Sequence, residues 1–163
     1  MIRMIGILSD SHDNLNNLRR AITIFQEAGC RLVVHAGDFV APFTARELAS
    51  LNCPLKAVFG NCDGEKIGLE EAIKPFGEIK PAPLIWAENN LRFLLTHLHH
   101  EVESLAYSGR YDVIIFGHTH RPEIRRLGQT LLINPGETGG WLTGKSTVVL
   151  FNPQSQTADL IFL

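Results

Sequence analysis

IIFGHTH, residues 114–120, joins a wholly apolar run to a glycine and two histidines spaced i and i+2. The run it completes, residues 112–116 (DVIIF), shows no polar alternation after its first residue. It reads as a strand buried on both faces, the kind found in the parallel sheet of a layered α/β protein. In an extended segment, residues i and i+2 point to the same side, so His118 and His120 form a pair. The same ending recurs in residues 6–12 (GILSDSH), 33–38 (VVHAGD), 57–61 (AVFGN) and 93–97 (FLLTH). Each buried run stops at a side chain able to ligate a metal. In open α/β sheets, ligands gather at the carboxyl ends of strands. Strands lying side by side would bring these ends into one crevice.

Around these endings the chain alternates strand and helix for two thirds of its length. Residues 2–9 are apolar and β-prone. Leu15, Leu18, Ile22 and Phe25 recur at helical spacing, and Gly29 closes that helix. Residues 31–35 and 55–59 read as strands, with a helix opened by Pro42 and running to about Leu51 between them. A short helix is expected near 69–74 and another over 101–107. Residues 82–87 and 91–96 flank Glu88-Asn89-Asn90, a hairpin turn. Residues 123–127, 130–133, 146–151 and 157–163 read as successive strands in hairpins. The pattern predicts an α/β layered domain with a mixed sheet, or with two sheets packed together.

The 163 residues suit one domain, spanning 1–163, and 45% of them are apolar, ample for a core. Charged residues are 20% and the formal net charge is −2, which gives no electrostatic footprint for long nucleic acid or an anionic membrane. No apolar run approaches the roughly 20 residues of a membrane span. The opening MIRMIGILSDSHDN turns polar too soon for a secretory signal. Cys30, Cys53 and Cys62 are odd in number and lack a framework spacing, which fits the cytoplasm better than a disulfide scaffold.

The donors at the strand ends are Asp10, His12, Asp38, Asn61, His97, His118 and His120, more than one ion needs. A shared Asp38 would give each of two ions four protein bonds, leaving positions for water. Mixed oxygen and nitrogen ligation with open positions suits manganese, iron, nickel or zinc. Two ions about 3.5–4 Å apart can clamp a phosphoryl group and acidify a bound water, so phosphate ester hydrolysis is the natural chemistry. Glycines before Asp38, Asn61 and His118 would let the backbone pass close to the metals. Taken singly, Asp-Ser-His is a turn and Gly-Asp is weaker still. Five such endings in one short chain are not an accident of packing. His35, inside a strand, reads as buried or as a support for the ligands. His99 and His100 open a helix and read as surface or substrate-side groups. Asp63 reads as a turn residue, Cys30 and Cys53 as packing, and Glu137 and Thr138 as following a rigid Asn134-Pro135-Gly136 turn near the site.

In this order D-x-H, G-D, G-N-x-D, a strand-end histidine and G-H-T-H resemble the calcineurin-like metallophosphoesterases, over residues 5–140, with Asn134-Pro135-Gly136 also fitting. The short length and G-N-C-D resemble the small prokaryotic YfcE-like phosphodiesterases. The resemblance implies a four-layer α-β-β-α sandwich of two mixed sheets flanked by helices, with a dinuclear metal centre. Asp10, His12, Asp38 and His120 would hold one ion, and Asp38, Asn61, His97 and His118 the other, with manganese favoured. A metal-bridging hydroxide would attack phosphorus, so Asp10, Asp38, Asn61 and His97 act in catalysis through the metals. The family's larger relatives carry histidine where this chain has Cys62, and that histidine stabilises the transition state or protonates the leaving group. Many relatives also have glycine where this chain has Leu98. Cys62 therefore stands at a catalytic position without a cationic acid, or simply fills space beneath the loop. His99 and Thr119 are substrate-side candidates.

The expected activity is metal-dependent hydrolysis of a small phosphodiester. Alternatives are a phosphomonoesterase and a non-catalytic protein-binding scaffold like the retromer subunit of this fold. A scaffold should have lost ligand histidines, and here every position is filled. A nuclease is disfavoured by the missing basic patch. No strong nucleic-acid or membrane partner is expected, and a homo-oligomer, dimer or tetramer, is left open.

Overall fold

The computed structural model of the protein describes residues 3–163. The chain runs β1 (Ile5–Leu8), α1 (Leu15–Glu27), β2 (Leu32–His35), α2 (Pro42–Ala45), a 3-10 turn (Arg46–Ser50), β3 (Leu55–Val58), α3 (Lys66–Ile73) and β4 (Gly77–Lys80). It continues through β5 (Leu84–Glu88), β6 (Leu91–Leu95), α4 (Val102–Tyr107), β7 (Val113–Ile115), β8 (Pro122–Leu127), β9 (Thr130–Pro135), β10 (Thr147–Asn152) and β11 (Thr157–Phe162). The first strand was expected from residue 2, which lies outside the described residues.

Two mixed sheets result. One has the order β11-β10-β1-β2-β3-β4, the other β5-β6-β7-β9-β8. In the first, β1 to β4 run parallel and β10 and β11 add antiparallel. In the second, β6, β7 and β9 are parallel, with β5 and β8 antiparallel at the edges. The sheets face each other across Ile5, Ile7, Val34, Phe93, Ile115 and Phe151. Helices α1 to α3 and the 3-10 turn cover the outer face of the first sheet through Leu18, Phe25, Leu48, Leu69 and Ile73. Helix α4 covers the second through Val102 and Ala106, against Leu94, Ile114 and Leu132. This is the four-layer α-β-β-α arrangement. Alternation along β1 explains its double burial: Ile5 and Ile7 enter the space between sheets, while Leu8 meets the helices.

Local chemistry sets the boundaries. Asn14 caps α1 by accepting from the Asn17 amide, and Gly29, at φ 65°, ends it. The helix expected from Pro42 to Leu51 divides into α2 and the 3-10 turn. Helix α3 starts three residues earlier than its apolar residues suggested, at Lys66. Strand β4 was not expected at all. Its sequence, GEIK, has one buried apolar residue, Ile79, and pairing with β3 rather than hydrophobicity makes it a strand. The closing strands also divide: β8 and β9 join the second sheet, and β10 returns to pair with β1 in the first.

Candidate metal centre

The five polar strand endings meet, though not in one sheet. Strands β1, β2 and β3 deliver Asp10, His12, Asp38 and Asn61 from the first sheet, and β6 and β7 deliver His97, His118 and His120 from the second. The turns that carry them are strained. Asp10, His12, Asp38, His118 and His120 adopt φ of 51°, 41°, 63°, 68° and 61°. Left-handed backbone costs an L-residue roughly 1–2 kcal/mol and clusters at functional sites. Glycine is required at two close approaches. A Cβ on Gly60 would strike the Asp38 carboxylate, and one on Gly117 would strike Ser9 and Asp10.

Around Asp10, Oδ2 accepts from Ser9 Oγ at 2.5 Å and from the His118 amide at 3.1 Å. Its Oδ1 is buried without a donor. Facing it are His120 Nε2 at 3.4 Å and His12 Nε2 at 3.7 Å. Around Asp38, Oδ1 accepts from the Cys62 amide at 2.8 Å. Its Oδ2 lies 3.3 Å from His12 Nε2 and 3.4 Å from His97 Nε2. Asn61 Oδ1 lies 2.8 Å from His97 Nε2 and 3.0 Å from His118 Nδ1. All seven sequence-predicted donors are thus brought together, with Asp38 Oδ2 between two groups of imidazoles.

The donor set suits a cation. His97 Nδ1 donates to the Ala36 carbonyl at 2.7 Å, which leaves Nε2 to face Asn61 Oδ1 and Asp38 Oδ2. His120 Nδ1 donates to Glu137 Oε2 at 2.6 Å, which leaves its Nε2 to face Asp10 Oδ1. His12 Nε2 is buried with no hydrogen-bond partner. Acceptors converging on acceptors repel one another unless a proton or a metal ion lies between them. Ligating atoms of Asp10, His12 and His120, and separately of Asp10, Asp38 and His97, lie within 4.8 Å of one another.

Charges follow the same logic. Burial pushes the Asp10 and Asp38 carboxyls up, but hydrogen-bonding partners outweigh it and hold both below the usual range; these include His12 and Ser9 for Asp10, and His12 and His97 for Asp38. The carboxylates of Asp10, first, and then Asp38 raise His12 to about 10. Burial lowers His97, but Asp38 outweighs it and the net shift is upward. Burial lowers His118.

Supporting residues fix the donors. His35 is fully buried; its Nδ1 accepts from the Gly37 amide at 3.0 Å, its Nε2 pairs with Ser11 Oγ at 3.0 Å, and burial pushes it down to about 3. It therefore braces the β2 ending as a neutral ring. Asp63 does more than turn the chain. Buried, it accepts from the amides of Asp38 (2.8 Å), Gly60 (2.7 Å) and Val40 (2.9 Å), clamping two strand endings together. Glu137 was read only as following a rigid turn near the site; its hold on His120 and on the Leu142 and Thr143 amides was missed. Its one signal was a carboxylate directly after Asn134-Pro135-Gly136. Cys62 is exposed, which overturns the space-filling alternative: its amide turns inward to Asp38 and its side chain faces the cavity. Its sulfur lies within 4.8 Å of ligating atoms of His12 and Asp38. His99 is exposed, its ring 5.8 Å from that of His118. Thr119 Oγ1 accepts from Asn134 Nδ2 at 3.0 Å and borders a surface recess with His99 and His118. Among the described residues, no helix is long and apolar enough to cross a membrane.

Two packed mixed sheets with aspartates and histidines at facing strand ends define a phosphoesterase of the layered metal-dependent kind. The model of the calcineurin-like phosphoesterase superfamily domain matches residues 4–156, and the chain belongs to that superfamily. It is 41% identical over 156 residues to a phosphodiesterase of Methanocaldococcus jannaschii, covering 93% of this chain and 94% of the relative. It is 29% identical over 142 residues to the phosphodiesterase YfcE of Escherichia coli, covering 78% and 75%. The solved structure of an archaeal phosphodiesterase superposes with a TM-score of 0.94 at 39% identity, covering 98% of this chain and 99% of that one. The expected family is borne out, its YfcE-like branch included, and that family implies divalent metal ions.

Proposed function

We propose that this chain hydrolyses a small phosphodiester with two divalent metal ions. The observation that carries the reading is Asp38 Oδ2, placed 3.3 Å from His12 and 3.4 Å from His97, one imidazole in each group. In this reading Asp10, His12, Asp38 and His120 hold one ion, and Asp38, Asn61, His97 and His118 the other. Manganese is the favoured metal, and iron, nickel or zinc suits the same mixed donors. Such ions, when bound, supply Lewis acidity toward phosphoryl oxygens and acidify a water.

The chain's own residues do the rest. Asp10 and Asp38 stay ionised at neutral pH, giving the site two fixed negative charges. Ala36 and Glu137 hold His97 and His120 by Nδ1, so both rings present Nε2 to the centre. Cys62 provides no cationic proton donor beside the leaving oxygen. His99, after β6, and Thr119, after β7, line one recess beside His118 and are the substrate-side candidates. A second cavity of ≈ 680 Å³ shares Asn61 and His97 with the centre and gives room for an ester group. Residues 1–163 act as one metallophosphoesterase domain in the cytoplasm, a setting in keeping with three free thiols. A net charge of −2 disfavours long nucleic acid as a partner, and a homo-oligomer, dimer or tetramer, is left open.

The test compares matched nitrophenyl mono- and diesters with the Mn²⁺-loaded protein. The diester should give the higher kcat/KM. A monoester preference would make the protein a phosphomonoesterase, and no turnover at full metal occupancy would make it a scaffold.

A further inference from the structure

Trp141 and Leu142 stand 65% and 75% exposed, yet line the same ≈ 350 Å³ cavity as Asp38, Asn61, His118 and His120. Two large apolar side chains in water beside an acceptor-rich site contribute little to the fold, and such patches mark binding surfaces. Neither residue is loosely held. The Trp141 indole N–H donates to the His12 carbonyl at 3.0 Å. The Leu142 amide donates to Glu137 Oε1 at 3.0 Å. Just before them, the Gly139 amide donates to the Asp10 carbonyl at 3.0 Å, and the Gly139 carbonyl accepts from Asn14 Nδ2 at 2.8 Å. A Cβ at Gly139 would press on the Ser11 carbonyl at 2.9 Å and on the Asp10 carbonyl and the Trp141 ring at 3.0 Å, so the loop closes most readily with glycine there. The wall is built before any ligand arrives, which cuts the ordering cost of binding.

We propose that Trp141, flanked by Leu142, receives a planar aromatic arm of the substrate, so that the preferred diesters are nucleoside or aryl esters rather than alkyl ones. This rests on the phosphodiesterase reading above and adds the substrate class to it. The polar edge of the indole is already engaged by His12, which leaves its faces for stacking. The phosphoryl group belongs with the donors across the cavity, and an ester arm is covalently tied to that group. Stacking on an aromatic face selects a flat ring and not one particular base.

The test uses Zn²⁺-loaded protein carrying Trp86→Phe, which leaves Trp141 as the sole indole of the two in the chain. It is titrated with thymidine 5′-monophosphate and with methyl phosphate, which share a phosphoryl group and differ in the arm. The nucleotide should quench Trp141 fluorescence and bind roughly 5- to 150-fold tighter than methyl phosphate. In the otherwise unaltered chain, calorimetry should find that ratio near one for Trp141→Ala and largely retained for Trp141→Phe, which keeps a ring but loses the N–H. The kcat/KM ratio of thymidine 5′-p-nitrophenyl phosphate to methyl p-nitrophenyl phosphate should fall in parallel. Equal affinities in the parent protein, or a ratio that Trp141→Ala leaves intact, would overturn the proposal. Concentration-dependent self-association abolished by Trp141→Ala would also overturn it and assign the wall to a second copy of the chain. Absence of diester turnover with the binding difference intact would remove the phosphodiesterase reading while sustaining the aromatic wall.

Discussion

Glu137 Oε2 accepts from His120 Nδ1 at 2.6 Å, and the same buried carboxylate gathers the Leu142 and Thr143 amides. Burial pushes this carboxyl up, but His120 and Thr143 outweigh it and hold it below its ordinary value. One side chain therefore orients a donor of the candidate centre and ties down the loop that forms the cavity wall.

Replacing Glu137 should reach the centre through His120. Glu137→Gln keeps the size but turns an amide toward backbone N–H groups that need an acceptor. Metal affinity should fall about 10- to 100-fold, the usual loss when a ligand's hydrogen-bonding partner is removed. Competition against a chromogenic chelator measures it. Unchanged affinity would mean that His120 is not a ligand or needs no orienting.

Asp38 and Asn61 should differ in how much metal they cost. Asp38 Oδ2 serves both imidazole groups, so Asp38→Asn should cripple both sites. Asn61 faces only His97 and His118, so Asn61→Ala should weaken one site. Elemental analysis of reconstituted protein should find about two ions per chain in the parent protein and about one in Asn61→Ala. Full activity of the parent with one ion or fewer would defeat the dinuclear reading.

The seven candidate donors were legible in the sequence because they stand at the ends of five apolar runs, a pattern that composition rarely makes by chance. The division of those runs between two sheets was not legible. The chain leaves the first sheet between β4 and β5 and returns to it after β9, and nothing local in residues 81–83 or 136–146 announces either crossing. Strand β4 was hidden because an edge strand with one buried side chain carries almost no hydrophobic signal. Asp63 and Glu137 were hidden for another reason. Apart from the nearby Gly60 amide, the partners of Asp63 lie on β2's ending and the histidine partner of Glu137 on β7's, so spacing alone cannot reveal what they hold.

Metal uptake should release protons. Asp10, first, and Asp38 raise His12 from 6.5 to about 10, so its ring is protonated at neutral pH in the metal-free protein. A metal ion needs the neutral ring. Apparent affinity should therefore rise with pH, by up to about tenfold per unit for each proton displaced, and level off above His12's own value. The sign for folding is separate. A raised histidine stabilises the metal-free fold below its unfolded value of 6.5, and that contribution is lost as pH climbs through about 10. His35, lowered to about 3, works in the opposite sense and costs stability as pH falls below 6.5. Calorimetric titration near neutral pH in buffers of different ionisation enthalpy counts the protons. A count of zero would contradict a charged His12.

Cys62 should leave the enzyme sensitive to its leaving group. The thiol faces the cavity, and burial, followed by the Asp38 carboxylate, raises it above its ordinary value. It is neutral at neutral pH and a weak donor to a departing alkoxide. General-acid help is typically worth about 10²–10⁴-fold. Without it, alkyl leaving groups should suffer far more than nitrophenolate, which departs readily as an anion. A series of aryl phosphodiesters graded by leaving-group pKa, at saturating metal, should therefore give a steep dependence. Cys62→Ser should leave the slope nearly unchanged, since neither side chain is a cationic donor. Cys62→His should flatten it, since the position is exposed at the cavity and would present a cationic donor there. Loss of turnover in Cys62→Ser with both metals retained would make the thiol a participant, a role its closeness to His12 and Asp38 permits. A shallow slope in the parent protein would require another acid. His99, exposed and stacked 5.8 Å from His118, is then the residue to replace, and His99→Ala should steepen the slope.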